Sequence, residues 1–124
     1  MLPTTKQTYL LTLLKIAIME TNINKPVKFN ELNDNQKKVY TLIQEETDNY
    51  IGGYENQLDD TEEGTEEYNE AYNVLHNTSR EEKIDYIMGE VRCSSFWRKN
   101  ENLHFVTLEW VKERIRRRLI KYGY

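Results

Sequence analysis

The chain has 124 residues, with 17 Lys+Arg against 21 Asp+Glu, a formal charge of −4 and 38% hydrophobic residues, a length that suits a single domain over 1–124. Charged residues make up 31% and aromatics 11%, which argues against a disordered chain and for a folded core under a very polar surface. One cysteine, Cys93, excludes an internal disulfide framework and points to a reducing, cytoplasmic setting, while the most apolar run, Tyr9 to Met19, is too short to cross a bilayer and lacks a small-residue cleavage site after it.

The first helix is expected from about Thr5 to Glu20. Leu10, Leu13, Leu14 and Ala17 recur at helical spacing, and Leu11, Ile16, Ile18 and Met19 widen the apolar arc. An arc that wide calls for burial on more than one side, inside the domain or at a homo-oligomer interface. Asn22 to Asn30 reads as a loop, because Pro26 disfavours helix at Lys25. A second helix starts near Asn33 or Asp34, either a good N-cap, with Val39, Tyr40, Ile43 and Tyr50 on its apolar face. Gly52-Gly53 supplies its expected stop, and Tyr54 to Gly64 reads as an acidic loop.

A third helix is predicted from near Thr65, with Tyr68, Ala71, Tyr72 and Leu75 on one stripe and Glu63, Glu66, Glu67 and Glu70 on another. Ser79 followed by Glu82 has the form of a capping box and opens a fourth helix with Ile84, Ile87, Met88 and Val91 inward. Two aromatic or β-branched runs, Cys93–Trp97 and Leu103–Val106, flank Lys99-Asn100-Glu101-Asn102 and predict a short hairpin. Thr107 caps a last helix to about Tyr122, with Gly123 beyond it, a core stripe of Leu108, Val111, Ile115, Leu119 and Tyr122, and a separate basic stripe of Arg114, Arg117, Arg118 and Lys121. The expected fold is mainly α, about five helices with one short β-hairpin before the C-terminal helix.

The modest total charge hides a polarised chain. Met1 to Gln44 carries +3, the acidic central segment 45–90 carries −13, and the basic C-terminal segment 91–124 carries +6. Such asymmetry bears on partners and solubility rather than on fold. The plain alternative is that the opposite charges neutralise one another on one compact surface.

Signatures of catalysis or metal binding are weak. Asp59, Gly64 and Glu70 fall at positions 1, 6 and 12 of an EF-hand loop, but Thr61 and Glu63 stand where Asp or Asn is expected and Glu66 where an aliphatic residue is usual. His76, Cys93 and His104 have no zinc-type spacing, and the ordinary reading is two structural histidines and a buried cysteine. There is no Gly-x-Ser-x-Gly elbow, phosphate-cradling glycine loop or dinucleotide fingerprint. No catalytic residue, cofactor or metal site is expected, and the chain is not expected to be an enzyme.

Two surfaces remain as candidates. Asp59, Asp60, Glu62, Glu63, Glu66, Glu67 and Glu70 space carboxylates as a surface able to imitate a row of phosphates and steer the protein into a basic nucleic-acid channel, the plain alternative being a solvated helix face. Tyr50, Tyr54, Tyr68 and Tyr72 interleave with them, an interface-like composition, although Tyr68 and Tyr72 are expected in the core. The alternative is a small DNA-binding regulator, loosely of winged-helix form, that uses Arg98, Lys99, Arg114, Arg117, Arg118 and Lys121 on phosphates. A third reading is a structural homo-oligomer built through the N-terminal helix.

Tyr50-Ile51-Gly52-Gly53-Tyr54-Glu55-Asn56, followed by Glu63-Gly64-Thr65-Glu66-Glu67-Tyr68 and Ala71, resembles small proteins of phages and mobile elements of Gram-positive bacteria, over about Leu32 to Val91. The resemblance implies an accessory or counter-defence protein of the anti-CRISPR kind, acting in the host cytoplasm. It carries no functional residues with it. The leading expectation is a non-enzymatic inhibitor that binds a host nucleic-acid-handling protein or nuclease through the acidic surface.

Overall fold

The computed structural model describes residues 27–100 and 106–124. A 3-10 turn at Phe29–Glu31 precedes five α-helices among the described residues: α1 (Asp34–Asp60), α2 (Glu66–His76), α3 (Arg80–Cys93), α4 (Ser95–Asn100) and α5 (Leu108–Lys121). The expected N-terminal helix, Pro26 and the hairpin segment 101–105, His104 included, lie outside the described residues.

Helix α1 begins as its sequence demands. Asn33 Oδ1 accepts from Gln36 N at 2.8 Å and Gln36 Oε1 accepts from Asn33 N at 3.0 Å, a reciprocal capping box. Val39, Ile43, Thr47 and Ile51 recur every four residues and are buried, the Thr47 hydroxyl being satisfied by the Ile43 carbonyl at 2.7 Å. The expected stop at Gly52-Gly53 is not there, and the residues expected as a loop from Tyr54 continue the helix to Asp60. Each helix-interior glycine costs about 1 kcal/mol relative to alanine. Beyond them Tyr54 and Leu58 pack on the core, and apolar burial on that scale, about 1.5–3 kcal/mol for a full side chain, outweighs propensity. The turn comes at Thr61–Thr65, where Gly64 has φ +92°, a conformation that favours glycine.

Helices α2, α3 and α5 each start on a side-chain cap, Ser79 and Thr107 as read from the sequence and Thr65 at the expected start of its helix. Thr65 accepts from Tyr68 N, Ser79 from Glu82 N and Thr107 from Trp110 N, at 3.3, 3.1 and 3.1 Å. Helix α5 ends in a Schellman motif, with Gly123 N donating to the Ile120 carbonyl and Tyr124 N to that of Leu119.

The mainly α reading holds, but the hairpin does not: no strand is present among the described residues. Its expected near arm is helical. α3 runs to Cys93, and Ser94 Oγ then accepts from Trp97 N at 3.1 Å to restart the chain as α4. A serine cap satisfies backbone donors locally, and one helical turn aims Trp97 into the core at 7% exposure. Without a tight-turn dipeptide, nothing in Lys99-Asn100 opposes this.

α1 is the spine, about 40 Å long at 1.5 Å per residue. α2 folds back along it, α3 and α5 pack on it and on each other, and α4 rests on α3. The core joins Val39, Ile43 and Ile51 of α1 to Ile84, Ile87 and Val91 of α3 and Val111, Ile115 and Leu119 of α5. Leu108 and Tyr122, expected inward, are exposed, and Trp110 and Arg114 are buried instead.

Candidate functional site

The α1–α2 hairpin gathers the acidic residues at one tip. Asp59 and Asp60 end α1, Glu62 and Glu63 lie in the turn, and Glu66, Glu67 and Glu70 occupy the first turns of α2; all seven are exposed. Glu66 and Glu67 suit the positive end of the α2 dipole. Asp59 and Asp60 stand at the negative end of α1, where an anion is disfavoured by about 0.3–1 kcal/mol. The ion pairs among the described residues draw on Glu31, Asp48, Glu81 and Glu113 rather than on these carboxylates. The tip thus stays outside the ion pairs seen among the described residues, at some cost to the helix end.

The partial EF-hand pattern does not become a loop of that kind, since Asp59 is still helical and Glu66 to Glu70 already are. Among the described residues no three His, Cys, Asp or Glu side chains come together as metal ligands do. Cys93, expected to be buried, is exposed. His76 lies 4.7 Å from the Tyr72 ring and 6.0 Å from the Tyr124 ring, in an aromatic row that continues to Tyr68. Tyr68 is half-buried and Tyr72 is 44% exposed, so neither is the core residue the stripe implied.

No family model, curated protein or solved structure matches the chain.

Beside the tip a second group of tyrosines clusters. Tyr50 meets Tyr54 edge-on at 5.4 Å and Tyr86 at 5.0 Å. Burial, then the neighbouring Tyr54 and Tyr86, pushes the Tyr50 hydroxyl up to about 12, so it stays protonated at neutral pH. Tyr86 drew no notice in the sequence. In the sequence it lies off the Ile84, Ile87, Met88, Val91 stripe, and in the fold it is 53% exposed.

The basic residues are divided. Arg98 and Lys99 on α4 and Lys121 at the end of α5 are exposed. Arg114 is 5% exposed, its guanidinium 5.7 Å from the centre of the Trp110 ring, and burial lowers its pKa from the ordinary value. Arg117 pairs with Glu113 at 3.3 Å, and Arg118 pairs with Asp48. Arg114, Arg117, Arg118 and Lys121 line a pocket of about 250 Å³ with Tyr40 and Gln44. The stripe that looked like a phosphate-binding row is in good part internal structure. No helix among the described residues is long and apolar enough to cross a membrane.

Proposed function

We propose that the protein is a non-enzymatic accessory protein of phage or mobile-element type that binds a host nucleic-acid-handling protein and blocks it, in the manner of an anti-CRISPR inhibitor. The observation that carries this reading is the exposed tip of seven carboxylates, Asp59 to Glu70, kept out of the ion pairs seen elsewhere in the fold. A cation at the end of α1 would be favoured by about 0.3–1 kcal/mol. Here two aspartates stand there, and charge retained against local stability favours a basic partner. Carboxylates spread over a turn and the first turns of a helix give a negative surface able to enter a channel that holds a phosphate backbone.

The regulator reading is weaker, because Arg114, Arg117 and Arg118 are buried or paired, which leaves Arg98, Lys99 and Lys121 as its exposed cations. The test is capture of a basic partner from nuclease-treated Gram-positive host lysate, with the wild-type chain beside a chain carrying Asp59→Lys, Glu63→Lys and Glu66→Lys. A nucleic-acid enzyme held by the first and lost by the second supports inhibition. Equal capture by both contradicts it.

A further inference from the structure

Helix α1 presents Glu46, Tyr50, Gly53 and Tyr54 along one stripe towards α2 and α3. Glu70 of α2 and Tyr86 and Glu90 of α3 close the other sides of a groove of about 390 Å³. Its lining carries three carboxylates, three tyrosine rings and the amides of Asn49 and Gln57, and no base. The volume falls within the range of about 300–1,000 Å³ typical of ligand sites. Glu70 also belongs to the acidic stripe of α2, so the groove continues the charged tip inward from the turn.

Gly53 forms part of the groove wall. It lies in the interior of α1, where alanine would be favoured by about 1 kcal/mol. A β-carbon added there would meet nothing within 4 Å, so close packing does not demand the glycine. What the missing side chain leaves is open space on the groove wall.

The geometry points to this groove as the seat of a guanidinium group, an arginine side chain of the basic protein partner. The inference rests on the acidic-face reading above and specifies what that face grips. A ring face attracts a cation through its quadrupole, best for a planar ion that can also stack. A carboxylate beside the ring accepts from the fork of guanidinium N–H donors in pairs. Tyr50, Tyr54 and Tyr86 supply rings, Glu46, Glu70 and Glu90 the acceptors, and the three helices that carry them bring both together. A lysine ammonium would meet the carboxylates as a point charge without the planar stack.

The test is a titration of the full-length chain followed by amide NMR, with Nα-acetyl-arginine amide, Nα-acetyl-lysine amide and the neutral Nα-acetyl-citrulline amide as probes. The expected result is saturable shifts at Asn49, Tyr50, Gly53 and Tyr86 with the arginine probe, weaker ones with lysine and none with citrulline. Gly53→Leu, with helicity checked by circular dichroism, abolishes them. Glu70→Gln, a milder change, raises Kd roughly two- to fivefold, the range of a partly exposed ion pair. Equal binding of citrulline or lysine, or non-saturating shifts spread over Asp59 to Glu67, overturns the assignment.

The two ideas fail separately. If arginine seats in the groove while the triple tip variant still captures its partner, the groove stands and the acidic-tip reading falls. If capture depends on the tip but is indifferent to Gly53→Leu, and the arginine probe does not bind, the groove falls alone.

Discussion

Arg118 donates to both carboxylate oxygens of Asp48, from Nε at 3.0 Å and from Nη2 at 2.8 Å, and so fastens α5 to the middle of α1. The Tyr122 hydroxyl adds a third bond to the same carboxylate at 2.6 Å. The hydrogen bond from Arg118 is the largest cause that lowers the Asp48 carboxyl from its ordinary value of 3.8. This arrangement commits a basic helix residue to structure, whereas the acidic tip joins none of the ion pairs seen among the described residues.

Asp48→Asn is expected to cost about 1 kcal/mol at pH 7, since the pair is bidentate but partly exposed. A carboxyl whose pKa is lowered by folding adds stability above its unfolded value and loses it as pH falls through the folded one. The gap between wild type and Asp48→Asn should therefore shrink below about pH 4. Urea unfolding at neutral and acid pH measures it.

Tyr50 gives the opposite dependence at the alkaline end. Its hydroxyl is raised from 10.0 to about 12, so the folded state holds that proton longer and stability falls as pH climbs through this window. Tyr50→Phe should flatten part of that fall. The alkaline rise of tyrosinate absorbance in the native protein should also lose its latest-titrating phase.

Gly52→Ala should stabilise the protein by about 0.5–1 kcal/mol, because the position is helical and an added β-carbon meets nothing within 4 Å. Thermal unfolding tests this. A destabilised variant would mean that the helix needs the glycine for a reason other than space.

Ile84 is fully buried at the junction of α1, α3 and α5, and Ile84→Ala should cost about 2–5 kcal/mol by denaturant unfolding. Ile120→Ala on the exposed side of α5, where the side chain is 51% accessible, should change stability by no more than about 0.5 kcal/mol.

What was legible in the sequence were the features set by neighbours within one helical turn. Asn33, Thr65, Ser79 and Thr107 announce their helix starts because a cap needs only its own residue and the amide three positions on. The stripe Ile84, Ile87, Met88, Val91 was equally plain. What failed depended on packing between distant segments. Gly52-Gly53 looks like a stop until Tyr54 and Leu58 are seen to gain contacts on the core. Phe96 and Trp97 have strand-like preferences, yet Ser94 and the core beneath Trp97 make a helix of them. Arg114 shares a periodic stripe with Arg117 and Arg118, and periodicity alone does not reveal that it lies buried beside Trp110. The acidic tip residues are legible one by one along the chain, whereas the groove needs three helices in place before Tyr86, Glu46 and Glu90 join Glu70.

The most direct measurement is a competition. The captured nucleic-acid enzyme is loaded with labelled DNA or RNA, and the wild-type chain is titrated in beside the Asp59→Lys, Glu63→Lys, Glu66→Lys variant. The account predicts that wild type displaces the nucleic acid with an affinity that weakens as salt rises, and that the variant does not, while folding about as stably, because the cation gained at the end of α1 offsets the one that Glu66→Lys places at the start of α2. Displacement that survives the reversal, or a variant that loses binding only because it unfolds, would contradict it.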